Sequence, residues 1–509
     1  MKFVVHSLFF LFLLCLFVNI LFSDVGVAMA QQPSDAATPT LPAEFADQSP
    51  AMLPTFGADV AQPEQWDRYS IVVTLHPDEQ RLSGKMHLWV TNRSFDPFTR
   101  LYFKLYPNHA NFGGRLTITA AFVDWMPVAS GTAHGDTLLW LDLLQPLPPG
   151  TTALVELNFE ASTPRNASRR TTGLFNQEAG LWSMASFYPV LARYFLDSGW
   201  DDRPISGRGD AAVTATALYD VTVETPPAWQ LVTTGVRIAA DPLDNGWRRE
   251  RFVSGPQREF YLGATRGLAQ ASATVDGVRL VSHYQPGNEA TGQRALQVAG
   301  DALRIFSQHF GPYPLAELEV LQGAMSTIMG MEYPGVVLVD QNLYWNAGGR
   351  PFETIVAHEV AHQWWYSLVG NDAQGEAWID EGLASYSHIL YHEIQGHHDR
   401  ARAELDRFRT LYRQVRNRGA DAPLATPPSA LGSAYVPIAY GKAALFFHAM
   451  RTELGEDAFK RFLQEFYATA RYREIAGPDL LRAAEAACGC SREQFFHAWV
   501  LTATPVPIP

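Results

Sequence analysis

Two rhythms of apolar and polar positions divide the chain. Between residues 69 and 263, short runs at 69–75, 86–90, 101–105, 153–157, 219–223 and 230–234 are rich in β-branched and aromatic residues, with Asn, Asp, Pro and Gly between them. That is the pattern of strands joined by turns, and it predicts an antiparallel, sandwich-like β domain over residues 63–270. From about residue 270 the period lengthens. A strand at 278–284 precedes 289–310, where Leu296, Ala299, Leu303 and Phe306 fall on one side of a helix. Gly311-Pro312-Tyr313-Pro314 breaks it. Strands at 318–322 and 335–340 follow, then helices at 354–368, around Glu381, and near 398–416, 440–454, 456–469, 478–487 and 491–500. A small sheet followed by helices over residues 271–503 makes the whole a multidomain α+β chain.

The N-terminus reads differently. Behind Met1-Lys2, an apolar run from residue 3 to 22 ends near Ala28-Met29-Ala30, the make-up of a secretory signal peptide over residues 1–30. Left uncleaved, the same run would be a membrane tether. Residues 31–62, rich in Pro, Ala, Ser and Asp, read as a flexible spacer. The expectation is an exported protein that is secreted, periplasmic or at the cell surface. Lys and Arg number 39 against 52 Asp and Glu, a formal charge of −13; nucleic acid, which needs a basic surface, is excluded as a partner. Of three cysteines, Cys15 leaves with the signal, and Cys488 and Cys490 could bond in an oxidising compartment across a very short loop. Asn92-Arg93-Ser94 and Asn166-Ala167-Ser168 match the glycosylation pattern. Arg208-Gly209-Asp210 reads as a turn before the next strand.

The chemistry lies in the second half. Residues 354–368, TIVAHEVAHQWWYSL, hold no proline or glycine, so a helix can run through them. His358 and His362 are four apart and project from one helical face. Two neutral imidazole nitrogens at that spacing can hold one Zn²⁺, and Glu359 is placed to act as general base on a water there. Taken alone, the pattern also describes a surface helix with two histidines and a glutamate. Glu381 changes the reading. It lies in WIDEGLASY, residues 378–386, with eighteen residues between it and His362. That gap lets one helix end near Gly370-Asn371-Asp372 and a second start facing it. Glu381 would then complete a His₂Glu site, three protein ligands with one position left open.

HEVAHQWW followed by WIDEGLASY resembles the gluzincin aminopeptidases of the aminopeptidase N family, zinc enzymes that remove residues from peptide N-termini. Residues 330–334, GMEYP, are similar to that family's G-x-M-E-N motif, and Tyr440-Gly441-Lys442 to its Y-x-K motif. The resemblance covers about residues 65–500 and is sharp from 310 to 465. It implies a thermolysin-like, mainly helical catalytic domain behind an N-terminal β domain, one Zn²⁺ per chain, and peptide substrates with a free N-terminus. Larger members continue into a helical array that roofs the site. The present chain resembles short bacterial-type members without it, which implies a more open cleft.

The resemblance also assigns roles. Glu332, on a strand with Gly330 and Met331, would pair with the substrate α-ammonium; read alone, it is a solvated glutamate in a turn. Tyr440 would stabilise the oxyanion; read alone, it is a core tyrosine. Tyr333 stands where the family has asparagine, which puts the backbone contacts around Gly330 in question. Asp380 would orient a zinc ligand or begin a helix. His388 stands where the family has a carboxylate that supports a zinc histidine. Residues 187–194 resemble a segment near the cleft of bacterial members, but the upstream glutamine or glutamate of the family has no counterpart identified in this sequence. Trp364 and Trp365 read as packing residues, and His392, His397 and His398 as exposed helix ends. The expected function is an exported zinc aminopeptidase. The alternatives are a metallo-endopeptidase or oligopeptidase with an open cleft, and a non-catalytic peptidase-like binding module. An intact ligand set with its base favours an enzyme.

Overall fold

The computed structural model describes residues 46–164, 172–345, 350–503 and 506–508. The apolar segment 1–30, the first part of the spacer and Asn166 lie outside them. Alternation in the first half builds an eight-stranded sheet around Arg81–Thr91, which pairs with Asp67–His76 on one side and Thr152–Ser162 on the other. Along Asp67–His76 the pleat puts Ile71, Val73 and Leu75 fully inside while Val72 between them is 45 % exposed. Residues of Phe98–Lys104 and Leu181–Met184, from two four-stranded sheets, share that core. The sandwich-like β half is therefore present, but it is not wholly antiparallel: Asp67–His76 runs parallel to Ala217–Thr225. Period-two alternation fixes which face is buried and carries no strand direction.

Residues 46–62, expected as spacer, are folded onto this body. The short turns Ser49–Ala51 and Pro54–Val60 bring Met52 and Val60 into an apolar cluster with residues of both halves, and the Leu53 N–H donates to the Pro314 carbonyl at 2.8 Å. A few scattered apolar side chains suffice for docking without making any period. Asn92 is buried, its amide donating to the carbonyls of Asp96 and Leu147, so it is no glycosylation acceptor.

The second half opens with a five-stranded sheet. Val278–Tyr284, Glu317–Gly323 and Val336–Asp340 are parallel, and Gly330–Tyr333 pairs antiparallel at the edge with Glu332 opposite Val337. Helix Glu289–His309 buries Leu296, Ala299, Leu303 and Phe306, as its period requires. Helix Arg350–Ala361 packs against the edge strand. It stops at Ala361 rather than running to residue 368. Trp364 and Trp365 turn inward there, onto Phe306 and Phe310 respectively, and the Ser367 N–H donates to the His362 carbonyl. Burying two adjacent indoles on one side is incompatible with a continuing helix, whose successive side chains diverge by about 100°. Helices Trp378–Ile394, His398–Asn417, Ala443–Leu454, Glu456–Ala470 and Gly477–Cys488 complete the half. A Cβ on Gly382 would lie 2.7 Å from that of Ala443, so glycine is what lets Trp378–Ile394 close on Ala443–Leu454. A disulfide joins Cys488 to Cys490.

Candidate active site

Three acceptor atoms converge between helices Arg350–Ala361 and Trp378–Ile394. His358 Nε2 and His362 Nε2 lie 3.2 Å apart, and Glu381 Oε2 lies 3.3 Å from the first and 3.4 Å from the second. His362 Nδ1 is 2.9 Å from the Trp365 carbonyl, which can only accept. Nδ1 therefore carries the proton and Nε2 presents a lone pair. Glu381 Oε2 is buried with no hydrogen-bond donor. Burial would raise the Glu381 pKa, but the two histidines beside it hold it down at about 2. Ligand atoms of a tetrahedral zinc with bonds of about 2.0–2.1 Å lie about 3.3–3.4 Å apart. The triangle found here has two of its edges in that range and the third, at 3.2 Å, just below it, and it pairs two imidazoles with one carboxylate, so the residues fit Zn²⁺.

Around this triangle stand carboxyl groups without counter-charge. Glu359, next to His358, is raised to about 8 by burial, and Glu332, on the edge strand, well above its ordinary range by burial and by Asp210. Glu332, Glu359 and His362 each bring an atom within 4.8 Å of the others. Gly330 makes room for Glu359, because a Cβ there would lie 2.0 Å from its Oε1. The open backbone of the edge strand is what admits that side chain. Tyr440, in the turn of π-helix Val436–Lys442, donates to Glu381 Oε1, and the neighbouring Lys442 is buried in an ion pair with Asp421 at 3.0 Å.

The remaining sequence candidates divide. Met331 lines a cavity of about 130 Å³ together with Glu332 and Tyr440. Asp380 is the third residue of its helix, whose cap is Ala377, and its Oδ1 accepts from Asn371 at 3.1 Å. It does not cap. His388 packs 5.6 Å from the His358 ring, with both ring nitrogens buried and unpartnered and Glu404 3.8 Å away. Burial drives its pKa well below the ordinary range, so it is neutral. His392, expected at the surface, is buried, with Nε2 3.0 Å from the Thr354 hydroxyl, while His397 and His398 are exposed. Helical spacing from Ile389 already places His392 on the packed side, and that spacing is the signal that could have found it.

Two acids that sequence reasoning missed line the same cavity. Asp210 and Glu259 are each raised to about 7, burial being the largest cause. Glu259 accepts from the Tyr366 hydroxyl and from Ser186 at 3.3 Å. Phe112, Leu174 and Ile328 form apolar wall.

Residues 294–499 match the peptidase family M1 domain. The chain is 23% identical over 385 residues to rice (Oryza sativa subsp. japonica) aminopeptidase M1-A, covering 72% of this chain and 42% of that protein. It is 27% identical over 255 residues to human aminopeptidase N, covering 46% and 26%. It thus spans less than half the length of these curated relatives. Its fold is shared with the crystal structure of an M1 zinc metallopeptidase from Deinococcus radiodurans, at a TM-score of 0.67, 23% identity, and coverage of 87% of this chain and 95% of that one.

Proposed function

We propose that this chain, an M1-type gluzincin with aminopeptidase N-like relatives, is an exported zinc aminopeptidase acting on peptides with a free N-terminus. One observation carries the reading: three lone-pair atoms spaced for zinc sit beside a buried carboxyl group, Glu332, on the sheet edge, with no lysine or arginine paired to it among the described residues. His358, His362 and Glu381 would hold the zinc, which supplies a fixed positive charge that polarises the scissile carbonyl. Glu359 takes a proton from the attacking water onto its carboxylate and passes it to the leaving amine. The Tyr440 hydroxyl, a donor that here meets Glu381 Oε1, would donate to the oxygen on which charge develops. Glu332 pairs with the α-ammonium and sets the first peptide bond over the metal. The same edge strand offers its backbone to the substrate for pairing. Among relatives of this fold, a mutant of the Deinococcus enzyme is bound to a Tyr-Ser-Ala substrate, which agrees with a peptide ligand.

The test is hydrolysis of matched peptides with free and acetylated N-termini, with and without a chelator. Chelator-sensitive cleavage of the free peptides alone is expected. Equal cleavage of both would make the protein an endopeptidase; no cleavage at one zinc per chain would make it a binding module. Export rests on the apolar segment and Ala28-Met29-Ala30. N-terminal sequencing of the mature protein is expected to begin at Gln31, and a start at Met1 would identify a tether.

A further inference from the structure

The turn that follows helix Arg350–Ala361 is held from the β half. Behind Trp364 and Trp365, Tyr366 has φ +144°, a conformation that glycine adopts freely and a bulky side chain rarely does. It persists only where the surroundings dictate it. Three consecutive residues of the β half do so. Gln257 Oε1 accepts from the Ser367 hydroxyl at 2.9 Å, Arg258 Nε donates to the Tyr366 carbonyl at 2.7 Å, and the Tyr366 hydroxyl donates to Glu259. All five residues are buried. Arg258 is itself fixed at its other two nitrogens: Nη1 donates to the Thr214 carbonyl at 2.8 Å and Nη2 to the Arg473 carbonyl at 2.6 Å. Gly370 leaves the space for it, since a Cβ there would lie 1.8 Å from its Cζ. Among the described residues no carboxylate pairs with Arg258. Burial, and then Arg193 beside it, lower its pKa to about 10, so it keeps its charge and its donors at neutral pH. A buried guanidinium that meets three carbonyls and no acid fixes backbone rather than charge.

We infer that Arg258 is a positioning residue for the metal site: it holds the Tyr366 backbone so that the Trp365 carbonyl orients His362. The inference rests on the zinc ligands proposed above. The φ angle of Tyr366 relates the plane of the Trp365–Tyr366 peptide to the Tyr366 carbonyl. Arg258 pins that carbonyl and Glu259 the side chain, so φ decides where the Trp365 carbonyl points. At +144° that carbonyl accepts from His362 Nδ1 at 2.9 Å, which leaves Nε2 its lone pair for the metal. Relaxation to an ordinary extended φ of about −120° would turn the peptide plane by roughly 90° and carry the acceptor away. Arg258 lines a different cavity from Glu332, one of about 430 Å³, so it acts on the chemistry through the backbone it holds.

The experiment uses the full chain carrying Arg258→Lys, which keeps the charge and loses the three-way fork. Zinc affinity is read by competition with a chelator, beside kcat and KM on a free peptide and the melting temperature. The variant should bind zinc about 10- to 100-fold more weakly, and kcat at saturating zinc should fall as well, with KM within about 3-fold. Ser367→Ala removes one tie of the same clasp. It should weaken zinc binding by about 3- to 10-fold, and it decides the matter should Arg258→Lys fail to fold. A merely structural Arg258 would move the melting temperature and leave the zinc affinity of the folded variant intact. A folded Arg258→Lys, or in its place Ser367→Ala, with wild-type zinc affinity overturns the inference and leaves the zinc site standing. A wild-type chain that binds no zinc, or a His362→Ala variant that binds it as tightly as wild type, removes the site and the inference with it.

Discussion

Two glutamates on helix Arg350–Ala361 share residue type, helix and exposure, each being 5 % exposed, yet they sit at opposite electrostatic extremes. Glu353 accepts from Arg294 at 2.9 Å, from Tyr391 at 3.1 Å and from Arg400. Burial pushes its pKa up, but the guanidiniums outweigh burial and hold it below the ordinary range. Glu359 accepts from no arginine or tyrosine among the described residues, and burial carries it to about 8. Donor types alone do not separate the two places, since Glu353, His392 and His397 also bring atoms within 4.8 Å of one another. Two arginines already occupy the Glu353 carboxylate, so a dication there would have to displace them. A buried carboxylate with its counter-charges holds helices together. One without them can move a proton.

The largest effect tests that contrast directly. Glu359→Gln should lower kcat by about 10³-fold or more while zinc stays at one per chain and the melting temperature holds. Metal analysis beside kinetics reads this, and loss of zinc in the variant would refute the base assignment. Next in size is Gly330→Ala, whose new Cβ meets Glu359 Oε1 at 2.0 Å. Displacing the base should cost about 10²-fold in kcat with the fold intact, and wild-type turnover would show that Glu359 does not work from this position. Glu353→Gln should do the reverse, with kcat within a few-fold. Because Arg294 and Arg400 are 35% and 39% exposed, their pairing is partly screened, and the loss of stability should be about 2 kcal/mol rather than the full cost of breaking a buried pair. Its sign with pH is set. A depressed native pKa stabilises above the unfolded glutamate value of about 4.3 and is lost as pH falls through the native value, so wild type and variant should converge in acid. Denaturant unfolding at pH 7 and in acid measures it. A kcat loss for Glu353→Gln as deep as that of Glu359→Gln would erase the comparison.

Much of this site was legible in the sequence because helices are local. A four-residue spacing puts His358 and His362 on one face whatever surrounds them, and a gap of eighteen residues leaves few ways for Glu381 to return. Where tertiary packing overrides the local pattern, the sequence misleads. The helix ends at Ala361 because of where Trp364 and Trp365 go, and the partners that decide this lie near residue 306. The parallel pairing of Asp67–His76 with Ala217–Thr225 leaves no trace in either strand. Asp210 is the site residue least visible beforehand. Its neighbours in sequence describe a turn, and only Gln374 and Glu332, far along the chain, make it part of a site.

The span of those ties sets an order of events during synthesis. Asp210 is fastened by Gln374 across 164 positions, and Tyr440 meets Glu381 across 59. A chain emerging from the ribosome therefore contains the three proposed ligands before it possesses the Tyr440 hydroxyl.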